Sequence, residues 1–145
     1  VRLSPPGACA LMLFDIDGFK QVNDRWGHEC GDCMLAQFAQ QVRQLVGEEG
    51  MVARIGGEEF AVAALTSSAR DGVLLAEKIR QGIESQTFTW GQNRIQLTIS
   101  MGLESRAPGS ARVTDLFNQL LMVADDSMIR AKKAGRNRIF TQEMV

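Results

Sequence analysis

Hydrophobic and polar positions fall into blocks along this chain. The first is the apolar run Ala8-Cys9-Ala10-Leu11-Met12-Leu13-Phe14, which ends in Asp15-Ile16-Asp17. A continuous apolar run closed by carboxylates predicts a buried central strand over residues 8 to 16. Helical spacing follows from Gly18 to Trp26 through Phe19, Val22 and Trp26, and Gly27 breaks it. A second helical pattern spans Asp32 to Val46, with Met34, Leu35, Phe38, Val42 and Leu45 on one side. Beyond the connector Gly47 to Gly50, Met51 to Ile55 and Glu59 to Leu65 read as two strands around Gly56-Gly57. Adjacent glycines supply the positive φ angles that a tight hairpin turn requires. Ala69 to Glu84 predicts a third helix with an inner stripe of Val73, Leu74, Ala76, Ile79 and Ile83. Phe88 to Trp90 and Arg94 to Leu103 bracket Gly91-Gln92-Asn93 as a second hairpin, and Ser105 to Ser110 is a loop. Thr114 to Lys133 is a fourth helix that Gly135 is placed to end, and Asn137 to Thr141 is a closing strand. The alternation predicts one α/β domain over residues 1 to 145, a sandwich of helices on a central mixed, mainly antiparallel sheet.

Composition narrows the function classes. A formal net charge of -1 argues against a nonspecific nucleic-acid binder, which carries a basic excess, so no nucleic-acid partner is expected. No apolar run reaches the length of a membrane span. The chain begins with Val1 rather than Met. A longer parent is therefore expected, with an upstream sensor or inner-membrane anchor and this domain on the cytoplasmic side. Three cysteines suit a reducing compartment. Cys30-Gly31-Asp32-Cys33 reads either as a redox dithiol or half zinc site, with Cys9 and His28 as further ligands, or as coincidence at a helix start. The second reading is favoured, because structural zinc takes a second ligand pair and the chain has no other His or Cys.

Three clusters carry candidate chemistry, and each has an ordinary alternative. In Phe14-Asp15-Ile16-Asp17, strand alternation sends Asp15 and Asp17 to one face and Ile16 into the core. Two carboxylates at a strand end suit a divalent cation, or they are simply solvated loop acids. In Ile55-Gly56-Gly57-Glu58-Glu59-Phe60 the acids are hemmed in by apolar strands, although solvent-facing glutamates are the commoner product of such turns. If that hairpin lies beside the first strand, Glu58 and Asp15 can share one cation, for which oxygen ligation suits Mg²⁺. Lys132, Lys133, Arg136 and Arg138 cluster at a helix end, where they either complement the macrodipole or bind phosphate.

Together these pieces resemble a known family. Phe14 to Asp32 is similar to the first signature block of GGDEF domains, and Arg54 to Phe60 to the signature loop in its GGEEF form. Ser100-Met101-Gly102 and the stretch from Ala124-Asp125-Asp126 to Asn137 match two later blocks, in the family's order and spacing. The resemblance implies a fold like that of nucleotidyl cyclases and polymerase palm domains. It implies a diguanylate cyclase, joining two GTP molecules into cyclic di-GMP with release of pyrophosphate. By position it makes Asp15, Glu58 and the carbonyl of Ile16 the ligands of Mg²⁺ (or Mn²⁺). Glu59 falls on the catalytic position beside Glu58 and Asp15, and Asp17 is given a supporting role. Asn23 and Asp32 fall on the guanine-reading positions, with Asp32 alternatively a helix N-cap. Lys20, Lys132 and Arg136 fall on triphosphate contacts. Phe19 joins the substrate-binding set, and Gly56 and Gly57 let the loop backbone lie against the nucleotide. Each domain would hold one GTP, so the active species would be a homodimer.

Two departures from the family stand out. Its R-x-x-D product-binding site is replaced by Gly47-Glu48-Glu49-Gly50, so product feedback through that site is not expected. The N-terminal helix and D-x-L-T-G-L-x-N-R segment that precede the first strand in the family are missing from this sequence, and weaker GTP binding is expected on that account. The competing expectations are a non-catalytic GGDEF module that binds GTP or a protein partner, and another palm-fold nucleotidyltransferase.

Overall fold

A computed structural model describes residues 7 to 106 and 113 to 142. Eleven elements follow one another: β1 (Ala8–Ile16), α1 (Phe19–Trp26), α2 (His28–Val46), β2 (Gly50–Arg54), β3 (Glu59–Thr66), α3 (Ala69–Ser85), β4 (Thr87–Trp90), β5 (Asn93–Gln96), β6 (Ile99–Arg106), α4 (Val113–Lys133) and β7 (Arg138–Phe140). Five strands form one sheet in the order β2-β3-β1-β6-β7. Strand β1 is central because its residues are apolar on both faces. It pairs antiparallel with β3 and β6, and only the β6–β7 pair is parallel. The sheet is therefore mixed and mainly antiparallel, as the alternation of elements predicts.

Strand alternation divides the core in two. Ala10, Met12, Phe14 and Ile16 face α2 and α3, where they meet Met34, Phe38, Val42, Leu75, Ile79 and Ile83. Phe14, Phe38 and Phe60 interlock there with ring centroids 5.0 to 6.3 Å apart, within the range of favourable aromatic pairs. Leu11 and Leu13 face the other way, against Leu120, Ala124 and Met128 of α4.

Several details differ from the sequence pattern. On α3, Leu75 is buried and Leu74 is 57% exposed. The inner stripe runs Gly72, Leu75, Ala76, Ile79, Ile83, and Leu74 lies off that face. The single strand expected over residues 94 to 103 is two, β5 in a separate hairpin with β4 and β6 in the main sheet. Strand β6 also runs on to Arg106, into the expected loop, while residues 107 to 110 of that loop lie outside the described residues. Helix α2 starts at His28 with Gly27 as its N-cap, so Asp32 is inside the helix and caps nothing. Cys30 of the same helix is buried in the larger core. Gly56 and Gly57 are not among the glycines of positive φ. The β2–β3 connection spans residues 55 to 58 and is closed by Ile55 N and Gly56 N donating to Glu59 O, a length that spares both glycines the left-handed region. Among the described residues, no helix is long and apolar enough to cross a membrane.

Candidate functional site

The β1–β3 register assembles the acids. It sets Glu59 directly opposite Asp15, and β6 sets Ser100 opposite Asp15 on the other side. Directly opposed residues share a face, and this is the α4 face of Leu11 and Leu13. Lys132, in the last turn of α4, reaches across and donates from Nζ to Asp15 Oδ2 at 2.5 Å. Asp15 is buried, and its Oδ1 has no hydrogen-bond partner among the described residues.

Asp17 has a different task. Its Oδ2 accepts from Thr98 Oγ1 at 2.8 Å and from Asn137 N at 2.9 Å, and its Oδ1 accepts from Ser100 Oγ at 2.6 Å. It ties the end of β1 to β6 and to the turn before β7. Its partners lie 81 to 120 residues away.

A cavity of about 230 Å³ opens at this corner. Asp15, Ile16, Asp17, Phe19, Lys20, Glu58, Lys132 and Arg136 all line it, so eight of the residues singled out in the sequence meet in one place. Glu59 is half-buried beside Asp15 and does not line it. Gly56 and Gly57 are exposed, with nothing within 4 Å of where a Cβ would stand. Asp32 lines a second cavity of about 280 Å³ with Leu35, Arg43, Arg54 and Phe60. Asn23 is half-buried on α1, and its Oδ1 would lie 1.8 Å from a Cβ placed on Gly31 of α2. The two candidate base readers therefore flank the α1–α2 junction, next to the cavity with the acids but outside it.

Electrostatics at the corner are those of crowded acids. Burial pushes the Asp15 carboxyl above its ordinary range, against the hydrogen bond and charge of Lys132. Glu58 is raised by burial and then by the charge of Asp15. Glu59 is raised by burial, then by Asp125 and Asp15. A buried carboxylate oxygen without a partner costs roughly 1–3 kcal/mol. Three half-desolvated carboxyls against one ammonium, with one oxygen unpaired, are a donor set that suits a hard cation. Among the described residues no group of three or more His, Cys, Asp and Glu is gathered closely enough to hold a metal by itself.

A pH prediction follows with a definite sign. A carboxyl whose pKa is raised on folding favours the folded state while protonated. That contribution is complete below the unfolded value, roughly 4.3 for Glu, and is lost as pH rises through the folded value. In EDTA, Glu59→Gln is therefore expected to be more stable than the parent domain at pH 7, and this gain shrinks as pH falls toward about 4.5. Paired thermal melts check this. A gain independent of pH, or a loss at pH 7, would contradict it.

Some contributors carried no usable sequence signal. Thr98 reads as an ordinary strand residue, and Ser100 and Arg54 as parts of signature blocks with no partner named. In the fold, the Arg54 guanidinium donates to the carbonyls of Gly56 and Gly57 and braces the signature loop from within.

Comparison with known proteins agrees with this geometry. The family profile described as "Diguanylate cyclase, GGDEF domain" matches residues 4–138. The chain is 51% identical over 131 residues to a probable diguanylate cyclase, DgcF, of Escherichia coli K12, covering 90% of this chain and 42% of that protein. The chain thus spans less than half of that relative. Among solved structures, it is similar to the GGDEF domain of PA1120 (YfiN or TpbB) from Pseudomonas aeruginosa, with a TM-score of 0.83, 30% identity, and coverage of 93% and 82%. It is also similar to the active GGEEF domain of a diguanylate cyclase from Vibrio cholerae, with a TM-score of 0.78, 29% identity, and coverage of 93% and 83%. The fold is the palm-like fold of nucleotidyl cyclases, and the chain belongs to the GGDEF domain family.

Proposed function

We propose that this domain is a diguanylate cyclase that condenses two GTP molecules into cyclic di-GMP, working as a homodimer. The observation that carries the reading is the β1–β3 register, which sets Glu59 opposite Asp15, beside a cavity that Asp15 lines together with Glu58, Lys132 and Arg136. Asp15, Glu58 and the carbonyl of Ile16 would hold Mg²⁺ (or Mn²⁺). When bound, the metal supplies charge neutralisation at the phosphate oxygens. Lys20, Lys132 and Arg136 counter the triphosphate and the leaving pyrophosphate. Lys132 is half-buried and paired with Asp15, whereas Lys20 and Arg136 are exposed and free to meet an anion.

In each half-reaction the 3′-oxygen of one GTP attacks the α-phosphorus of the other. The bond to pyrophosphate breaks, and the hydroxyl proton passes to Glu59, whose raised pKa makes it a better acceptor than an ordinary carboxylate. Positioning two charged substrates in line supplies most of the acceleration. One domain holds one GTP, so two domains must face each other. An input domain elsewhere in the whole protein, with or without a membrane anchor, would govern that encounter.

Incubating the domain with GTP or ATP and Mg²⁺ over a protein dilution series, and analysing the products, tests this. Cyclic di-GMP from GTP alone, with turnover per protomer rising with concentration, is expected. Bound but unconverted GTP at every concentration would indicate a non-catalytic module instead.

Guanine recognition yields a separable prediction. An ionised Asp32 accepts from guanine N1–H and the exocyclic amine, and Asn23 adds a donor and an acceptor. A Cβ on Gly31 would displace the Asn23 carboxamide, a flexible side-chain end, with Phe19 Cζ at 3.3 Å as its next neighbour. Gly31→Ala should therefore keep or slightly raise stability, since Ala is favoured over Gly within a helix by up to about 1 kcal/mol. It should nonetheless weaken binding of a non-hydrolysable GTP analogue by about tenfold. Melting and calorimetry on the same variant check both halves, and unchanged affinity would remove Asn23 from base recognition.

A further inference from the structure

The turn that carries Arg136 into the cavity is strained. Arg136 and Asn137 have φ of 65° and 49°, and they are the only described non-glycine residues in the left-handed region. Such conformations cost of order 1–3 kcal/mol and persist where surrounding contacts over-determine them. Here the contacts come from two sides of the molecule. On one side, Asn137 N donates to Asp17 Oδ2 at 2.9 Å. On the other, the Asn137 carboxamide is gripped by α3, which packs on the opposite face of the sheet from α4. Arg80 Nη1 donates to Asn137 Oδ1 at 3.0 Å, and Asn137 Nδ2 donates to Glu84 Oε2 at 2.5 Å. Arg80 is itself fixed by Glu77, to which both Nε and Nη2 donate, and by Glu84 at 3.3 Å. The clasp passes around β7, the edge strand of the sheet.

We propose that Arg80 and Glu84, which lie outside the cavity, are positioning residues for the substrate's phosphates. Acting through Asn137, they hold the left-handed turn and so aim the Arg136 guanidinium. The assignment rests on Arg136 meeting the triphosphate in the proposed function. Neither residue touches substrate. The grip discriminates among side chains: the carboxamide of Asn137 offers an acceptor to Arg80 and a donor to Glu84, whereas a glycine would relieve the φ strain and lose both bonds.

A double-mutant cycle on the whole domain tests this, with affinity for a non-hydrolysable GTP analogue in Mg²⁺ as the readout and melting temperature as the fold control. Arg80→Met and Asn137→Gly are each expected to weaken binding by about tenfold. Arg136→Ala should do at least the same, and adding Arg80→Met to Arg136→Ala should cost little more, because both act on one contact. Glu84 is exposed, so Glu84→Ala serves in the same cycle if Arg80→Met does not fold, and Glu84→Gln, which still accepts from Asn137, should restore binding. Losses from Arg80→Met or Glu84→Ala that are equal in the parent and Arg136→Ala backgrounds would assign them a general structural role and overturn the inference. Unchanged affinity in both would overturn it too. Failure of the parent domain to bind the analogue would instead sink the proposed function on which the inference stands.

Discussion

Glu58→Gln is expected to abolish cyclic di-GMP formation while leaving the domain folded. Glu58 lines the cavity with Asp15, and burial, then the charge of Asp15, raises its cost of ionisation. Glutamine keeps the shape and removes the charge, so the attraction for a divalent cation falls while the packing stays. With Glu58 as a metal ligand in the proposed function, loss of its charge should lower turnover by at least about a hundredfold. The same change relieves the crowding of acids, so the variant should melt no lower than the parent in EDTA at pH 7. The opposition is informative: activity collapses while metal-free stability holds or improves, the pattern of a site kept at a cost to stability. Near-normal turnover in Glu58→Gln, measured by product analysis at saturating GTP and Mg²⁺, would remove Glu58 from the metal site and with it the assignment of the signature loop.

The largest effect on stability is expected at Gly102. This residue sits on β6 opposite Leu13, on the face covered by α4. A Cβ there would meet Ala124 O at 1.9 Å and Met128 N at 2.5 Å. Both are helix backbone, which cannot swing aside as a side chain can. Helix α4 would have to lift from the sheet, opening the cluster of Leu11, Leu13, Leu120, Ala124 and Met128 and carrying Lys132 away from Asp15. Overpacking of this kind costs about 1–3 kcal/mol and occasionally more. Gly102→Ala should therefore lower the melting temperature by roughly 5–10 °C, and Gly102→Val by more. Gly56→Ala, where nothing lies within 4 Å of the added Cβ, is the control and should leave stability unchanged. Comparable melting of Gly102→Ala and the parent would show that α4 does not rest on β6 as closely as the fold has it.

Much was legible in the chain because local physics suffices for it. An apolar run ending in Asp15 specifies a central strand whatever surrounds it. Stripes such as Met34, Phe38 and Val42 specify which side of α2 is covered, since helical periodicity needs no partner to be recognised. The joint order of the signature blocks identified the family and so the residues to examine. Eight of these do line one cavity. Register, facing and distant partners were not legible, because they are settled by pairings across 44 to 120 residues. That Glu59 stands opposite Asp15 depends on how β3 docks on β1. Which of two adjacent leucines turns inward on α3, and where residues 94 to 103 break into two strands, depend on the sheet against which they pack. The glycines of the signature loop seemed to serve a tight turn, yet only the longer connection of the fold leaves them free of positive φ. Gly102 belonged to a recognisable motif, but its reason, the backbone of α4 against β6, exists only in three dimensions. Nothing in the sequence connects Asp17, Arg80 and Asn137, which lie in three segments. The tertiary structure joins them because each buried or strained polar group must find its hydrogen bonds somewhere, and those linking Asn137 to Arg80 and to Asp17 cross 57 and 120 residues.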